Sequence, residues 1–374
     1  MVSVIKYSFD KTNFSLRYKN MKKFRRIGVL TSGGDAPGMN AAVRAVVRAA
    51  IANGIEPVGI YRGYSGLIDG DVKVLGLRDV SNIINKGGTF LYSDRCPELK
   101  TPEGMAKAVA NCKRLEIDGI VAIGGDGTFR GATALTAQGI PCVGIPATID
   151  NDISSTDISI GFDTAKNTVI DLIDRLRDTC ESHARCNVVE VMGRGAGDIA
   201  VWAAIGSGAT EVVVPEFEYD TEKICEKINS SRKIGKRNFI VVVSEGVGSE
   251  YAPMLAKTIQ EKTGVETKFA RFAHIVRGGT PSLRDRVLAS QMGVAAVNEL
   301  LAGNSNLVIC RRNTRTVATD INYALILDRL YKGNLEDGDL ERFSEEEVAQ
   351  MRADAAERRE KLQYLYDTAC LINL

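Results

Sequence analysis

One local order recurs along this chain: a short apolar strand, a glycine-bearing loop, then a helix. Ile27-Gly-Val-Leu-Thr31 reads as a buried strand, Ser32-Gly-Gly-Asp-Ala-Pro-Gly-Met-Asn40 as its loop, and Ala41 to Ala52 as a helix stopped near Asn53-Gly54. Gly119-Ile-Val-Ala-Ile123 starts the order again, with the loop Gly124-Gly-Asp-Gly-Thr-Phe-Arg-Gly131 and a helix through Ala137. The β and α signals alternate to about residue 310. Alternation of this kind makes sheets mostly parallel and covers them with helices. The expected fold class is therefore α/β, in two Rossmann-like lobes with the active site in the cleft between them. The expected limits are an N-terminal arm over 1–26, one lobe over 27–161 plus 274–324, a second over 162–273 plus 325–335, and a C-terminal helical extension over 336–374. Glu345 to Leu362 reads as one exposed helix within that extension.

Composition excludes several classes of function. The 374 residues carry a net charge of +1, so the basic excess expected of a nucleic-acid or membrane-surface protein is missing. No run approaches the roughly 18 apolar residues of a spanning helix. The basic stretch 1–26 lacks the apolar core of a secretory signal. Eight scattered cysteines with no Cys-x-x-Cys pair suggest neither a disulfide framework nor a zinc site, and fit a reducing cytoplasm. His183 and His274, the only histidines, cannot make a His-rich metal site. No nucleic-acid or membrane partner is expected.

The glycine loops carry the chemistry. A strand, a glycine loop and a helix N-terminus together present backbone N–H groups to an anion. Neither loop is a Walker A sequence or a G-x-G-x-x-G fingerprint. Asp126 among four glycines suits Mg²⁺ bridging phosphate oxygens. A second glycine turn, Asn85 to Arg95, ends in an isolated Arg, and Arg44 and Arg48 share one helix face. After the apolar run Ile140 to Pro146 come Asp150 and Asp152, flanking Asn151. On an extended segment residues i and i+2 point the same way, so the two carboxylates would sit side by side at a strand end. Taken alone these residues read first as an Asp-rich turn; the glycine loops around them turn the reading toward chemistry.

In chain order, Ser32 to Asn40, Gly124-Gly-Asp-Gly-Thr128, Thr148-Ile-Asp-Asn-Asp152, Val191-Met-Gly-Arg194 and His274-Ile-Val-Arg-Gly-Gly279 resemble the motifs of the 6-phosphofructokinase family, short bacterial type, over roughly 27 to 330. The resemblance implies transfer of the γ-phosphoryl of ATP to the 1-hydroxyl of fructose 6-phosphate in a cytoplasmic homotetramer. It makes Asp150 the base, an unshifted carboxylate being adequate for a hydroxyl that loses its proton late, and adds Thr148, Asp152, Arg95 and Arg194 to the catalytic set. ATP would meet Gly34, Tyr64, Arg95, Cys96, Gly125, Asp126, Gly127, Thr128 and Gly131 in the first lobe, with Mg²⁺ on Asp126. The sugar phosphate would meet Thr148, Asp150, Met192, Gly193, Arg194, Glu245, His274 and Arg277, and Arg185 from a neighbouring subunit. Lys268 stands where the family has a second cross-subunit Arg, with Arg271 close enough in sequence to substitute. Arg44, Arg48, Arg177 and Lys236 match the effector site, whereas Leu77, Thr210 and Ile234 replace usual charges there.

The phosphoryl donor turns on two positions. Pyrophosphate-using relatives typically carry Asp where this chain has Gly127, and Lys where it has Ala147. Both differences favour ATP. A pyrophosphate-dependent enzyme is the first alternative. A lipid or NAD kinase sharing Gly-Gly-Asp-Gly-Thr is opposed by the downstream sugar-phosphate motifs. A non-catalytic nucleotide sensor is opposed by the presence of Asp126, Asp150 and Arg194.

Overall fold

Strand β1 (Arg26–Ser32) is apolar on both faces, and Ile27, Val29 and Leu30 are fully out of solvent. A strand of that kind is stable only with neighbours on both edges and helices on both faces. The computed structural model describes residues 24–373. Most of the expected arm, 1–26, thus lies outside the described residues; Phe24 is buried and Arg26 opens β1.

The first compact unit comprises the described residues up to Ile149, then Ile153–Gly161 and Gly279–Ala355. Its strands are β1, β2 (Glu56–Ile60), β3 (Val72–Val74), β4 (Gly119–Gly124), β5 (Cys142–Thr148), β6 (Ile160–Gly161), β11 (Leu307–Arg312) and β12 (Arg315–Asp320). They form one sheet in the order β12-β11-β5-β4-β1-β2-β3, with β6 paired to β5. All pairings are parallel except those of β3 and β12 at the two edges. The helices are α1 (Met39–Ala52), α2 (Gly63–Asp69), α3 (Pro102–Arg114), α4 (Asp126–Ala137), α9 (Leu283–Leu301) and α10 (Ile321–Lys332). Gly144 in β5 makes room for Phe129 of α4: a Cβ there would lie 2.6 Å from the ring.

The second unit comprises Asp150–Asp152, Phe162–Gly278 and the described residues from Ala356 on. Its sheet, β10-β7-β9-β8, is wholly parallel: β7 (Cys186–Val191), β8 (Glu211–Val213), β9 (Phe239–Ser244) and β10 (Thr267–Arg271). Around it stand α5 (Phe162–His183), α6 (Asp198–Ser207), α7 (Thr221–Lys233) and α8 (Tyr251–Thr263). Val188, Ile228, Val241, Leu255 and Ile259 share one core. The expected α/β class with mostly parallel sheets holds in both units.

The boundaries differ from the expected ones in four places, the first being Asp150–Asp152, which fall in the second unit and not the first. Residues 325–335 fall in the first unit, because Tyr323, Ile326 and Leu327 of α10 pack with Met351 and Ala355. Residues 274–278 fall in the second. The C-terminal stretch is no exposed appendage. It forms α11 (Glu345–Ile372), which buries Met351, Ala355, Leu362 and Ala369. In the first unit, Asp354 of this helix receives Arg312 at 2.9 Å and Tyr323 Oη at 3.3 Å.

All eight cysteines are free, and six of them are buried, as small apolar residues. Among the described residues no helix is long and apolar enough to cross a membrane. If α11 belongs to the core, Met351→Ala should lower the unfolding free energy by about 2–5 kcal/mol, the usual cost of emptying a buried methionine site. Chemical denaturation measures it, and an unchanged midpoint would return the helix to the status of an appendage.

Candidate active site

The phosphate-type loops of the first unit sit at the carboxyl ends of neighbouring strands, since Ser32 of β1 is in register with Gly124 of β4. Thr128 Oγ1 donates to the Ser32 carbonyl at 3.1 Å, and a Cβ at Gly124 would lie 2.3 Å from that same oxygen. Asn40 ties the first loop to the second glycine turn. Its amide donates to the carbonyls of Lys86 and Gly87, at 3.1 Å each, and accepts from the Phe90 N–H at 2.8 Å. Ser93 Oγ donates to the Gly33 carbonyl. These bonds bring Gly34 and Arg95, both exposed, into one loop cluster with Gly125 to Thr128; Cys96 is half-buried.

The expected loop over 124–131 is largely helix: α4 begins at Asp126. The amides of Asp126 and Gly127 therefore belong to the first turn of a 12-residue helix, where N–H groups lack intrahelical acceptors. An added Cβ at Gly125 or Gly127 would meet nothing within 4 Å. The fold does not require glycine at either position, so the vacant space is available to a ligand. Gly131 differs, because a Cβ there would lie 2.5 Å from the ring of Tyr64. Tyr64 itself is buried, and its hydroxyl donates to the Thr128 carbonyl at 2.6 Å, bracing the first turn of α4.

Strand β5 ends at Thr148, whose carbonyl accepts from Ser159 Oγ at 2.6 Å. Residues 150–152 do not continue it as the extended segment expected. The chain turns, and Asn151 takes a left-handed conformation with φ 52°, which costs a non-glycine residue about 1 kcal/mol or more. Asp150 and Asp152 are nonetheless both buried. Burial, together with the Asp152 charge, pushes the Asp150 carboxyl up to about 6, against the pull of Arg277 and Arg194. The expectation of an unshifted base is thereby corrected, because desolvation disfavours the charged form.

Asp152 lies 3.7 Å from Arg194, whose φ is 59°. That turn is held from β9's end: Glu245 Oε1 accepts from the N–H groups of Gly193 and Arg194, at 3.1 and 2.7 Å. Gly193 has φ 152°, and a Cβ on it would sit 2.4 Å from the Ala196 carbonyl, so only glycine fits. Met192 precedes it, half-buried. His274 and Arg277 share one 3-10 turn, Ala273–Arg277.

Arg185 and Lys268 converge on Glu266, at 2.7 and 2.9 Å. Arg185 first and Lys268 second hold the Glu266 carboxyl down at about 2. Arg271 is engaged elsewhere, paired with Glu190 at 2.6 Å and donating to the Ser249 carbonyl at 2.7 Å. Sequence reasoning passed over Glu266 and Glu190. The i, i+2 spacing of Glu266, just before β10, and Lys268 within it was the available signal. Of the effector set, Arg177 and Lys236 come together in the second unit. Burial first, then Arg177, lowers the Lys236 pKa, while Arg177 donates to Asn238 at 2.7 Å. Arg44 is half-buried and Arg48 exposed, both on α1.

A model of the phosphofructokinase family matches residues 26–300, which takes in every one of these loops. The chain belongs to the phosphofructokinase family. It is similar to the ATP-dependent 6-phosphofructokinase of Bacillus subtilis, 54% identical over 297 residues that cover 79% of this chain and 92% of that one. That of Bacillus pumilus is 52% identical over 322 residues, covering 86% and 99%. Among solved structures, a phosphofructokinase from Saccharomyces cerevisiae aligns with TM-score 0.78 and 32% identity, over 84% of this chain; the chain spans 47% of that longer one. A pyrophosphate-dependent phosphofructokinase from Marinobacter aquaeolei shares the fold, with TM-score 0.71 and 22% identity over 80% and 83% of the two chains.

In this phosphofructokinase the buried carboxylate leaves a thermodynamic trace. Asp150 holds its proton more tightly folded, at about 6, than unfolded, at about 4. Stability therefore falls as pH rises between those values and stays reduced above them. Asp150→Asn should stabilise the fold at neutral pH by on the order of 2 kcal/mol, with the gain vanishing toward pH of about 4. Denaturation at several pH values checks this, and a mutant destabilised at neutral pH would contradict it.

Proposed function

We propose that this phosphofructokinase transfers the γ-phosphoryl of ATP to the 1-hydroxyl of fructose 6-phosphate, giving fructose 1,6-bisphosphate and ADP, a step of glycolysis. The observation that carries the mechanism is Asp150: a buried carboxylate raised to about 6, with Asp152 beside it and Arg194 and Arg277 acting on it. A base with that pKa is ionised at neutral pH and still basic enough to take a hydroxyl proton as it is released. Phosphoryl transfer otherwise needs positioning and charge neutralisation more than covalent chemistry. Arg95 and Arg194 supply the positive charge, Gly34, Cys96 and Gly125 to Thr128 the nucleotide contacts, and Tyr64 and Gly131 the support behind them. Met192, Gly193, His274 and Arg277 hold the sugar phosphate, with Glu245 setting the 193–194 turn.

Among the described residues no group of three or more His, Cys, Asp or Glu could hold a metal ion unaided. A single carboxylate at a helix start instead fits an ion that arrives on the nucleotide, and Asp126 would hold that Mg²⁺. When bound, the ion neutralises phosphate charge. The eight free cysteines support a cytoplasmic setting.

The donor assignment rests on Gly127. Its open surroundings admit an Asp side chain without clash, and the new carboxylate would repel the phosphates of ATP. Ala147 is buried in β5, so a Lys there would bury its ammonium, and Gly127→Asp is the cleaner probe. In a coupled assay the wild type should use ATP and fail with pyrophosphate, and Gly127→Asp should raise the ATP KM at least tenfold, an added repulsion of about 1.4 kcal/mol. Preference of the wild type for pyrophosphate would overturn the assignment.

We also assign Arg185 and Lys268 to the 6-phosphate of a neighbouring subunit's sugar, within a homotetramer. Both are already gathered by Glu266, and a bound phosphate would replace that carboxylate as their partner. Arg44, Arg48, Arg177 and Lys236 would bind an anionic effector. Arg185→Ala should raise the fructose 6-phosphate KM and leave the ATP KM nearly unchanged, since the contact lies away from the reacting centre. Sedimentation of the wild type and sugar titration of the mutant test this, and a fully active monomer would refute it.

A further inference from the structure

Helix α11 lies beyond the residues matched by the family model, 26–300. Its buried positions Met351, Ala355, Leu362 and Ala369 and its ring contact Tyr366 lie on one helical stripe. Arg358 falls on that same stripe, between Ala355 and Leu362, where an apolar residue would be expected. Its side chain is only 13% exposed. A charged group so placed needs partners that hold it there.

Those partners belong to the catalytic loop. The Arg358 guanidinium donates to the main-chain carbonyl of Asn151, the residue between Asp150 and Asp152. It also lies 3.7 Å from Asp198, the first residue of α6. Asp198 in turn accepts from the Asn151 side-chain amide at 3.0 Å. Arg358, Asp198 and both polar ends of Asn151 therefore form a closed ring of contacts. Glu216, which accepts from the Gly197 N–H at 2.8 Å, is within electrostatic reach of both Asp198 and Arg358. Further along α11, Tyr366 stacks on Phe217 at 4.3 Å, fixing the helix against the segment that carries Glu216.

Asn151 needs such restraint. Its left-handed backbone is one that asparagine tolerates but that competes with extended conformations, so contacts on both of its polar groups decide that it stays there. The peptide after Asn151 leads straight into Asp152, and the peptide before it comes from Asp150. Rotating either one would swing the carboxylates apart and break the Asp152–Arg194 approach at 3.7 Å. We infer that Arg358 is a positioning residue for the phosphoryl-transfer reaction: from a C-terminal helix outside the family match, it locks the Asn151 peptide and so sets the orientation of Asp150 and Asp152. The inference rests on the reading of Asp150 as the base.

The test is Arg358→Met, which keeps the bulk on the stripe and removes the donors, with kcat and both KM values measured on the full-length enzyme. Displacement of a base by a fraction of an ångström to an ångström predicts a kcat lower by ~10–100-fold. The KM values for fructose 6-phosphate and ATP should stay within about twofold, because Met192, Gly193, His274 and Arg277, assigned above to hold the sugar phosphate, do not depend on Arg358. Arg358→Lys should fall between the wild type and Arg358→Met, since its point charge answers Asp198 but cannot bond two groups in a plane. The fluorescence of Trp202, the single tryptophan, one turn along α6 from Asp198, reports whether each variant is natively packed. A natively packed Arg358→Met enzyme with kcat within twofold of wild type overturns the inference. So does a drop in kcat matched by equal rises in both KM values, which would mean general loosening. If Arg358→Met does not fold, Arg358→Lys decides: lowered kcat at unchanged KM upholds the inference, and wild-type kcat overturns it. A wild type that does not phosphorylate fructose 6-phosphate refutes the underlying reading and the inference with it. Loss of activity in Asp150→Asn beside a normal Arg358→Met refutes the inference alone.

Discussion

Two carboxylates in a dry place cannot both carry charge without help, and this condition shapes the region around Asp150 and Asp152. Burial and mutual repulsion push the Asp150 pKa up, and Arg277 and Arg194 pull it part of the way back. The result is a carboxyl near 6 rather than a permanently neutral acid. Much of the surrounding polar structure can be understood as keeping that balance. Glu245 fixes the turn that presents Arg194, and a 3-10 turn presents Arg277. Asp198 and Arg358 fix the peptide that joins the two acids. Each bond is ordinary in strength. Their joint effect is geometric, because they hold Asn151 in one of the conformations open to it.

The glycines divide by the same kind of physical argument. At Gly124, Gly131, Gly144 and Gly193 a Cβ would strike backbone or ring atoms, so the fold itself excludes a side chain. At Gly125 and Gly127 the space is open. Two glycines at a helix start, needed by no neighbour, are explained by something outside the chain approaching the backbone. On the function proposed above, nucleotide phosphates would meet the backbone there, at the N-terminus of α4.

Helix α11 shows how a sequence read by charge alone misleads. It is rich in charged residues, and read by them it looks solvated. The apolar positions nevertheless follow a helical stripe, with Arg358 standing where the stripe calls for a hydrophobic residue. That mismatch was legible as a sign of a buried ionic contact. Its partner was not, because nothing in the sequence links residue 358 to residue 151.

The sequence by itself determined the α/β class and the mostly parallel sheets implied by alternating elements, and it marked out the candidate reactive groups. These depend on local periodicity and on motifs a few residues long, which hold whatever the rest of the chain does. It also marked Asp150, Asp126, Arg194 and Arg277 for the roles proposed above, through resemblance carried on contiguous residues. Only the tertiary structure decided the shifted pKa of Asp150, the helical start at Asp126, the left-handed Asn151 and the gathering of Arg185 and Lys268 on Glu266. It alone decided the unit boundaries and the docking of α11. Desolvation and side-chain pairing depend on which distant residues exclude water and on which charges come within a few ångströms of one another. Those distances are set by packing and are absent from the order of residues along the chain.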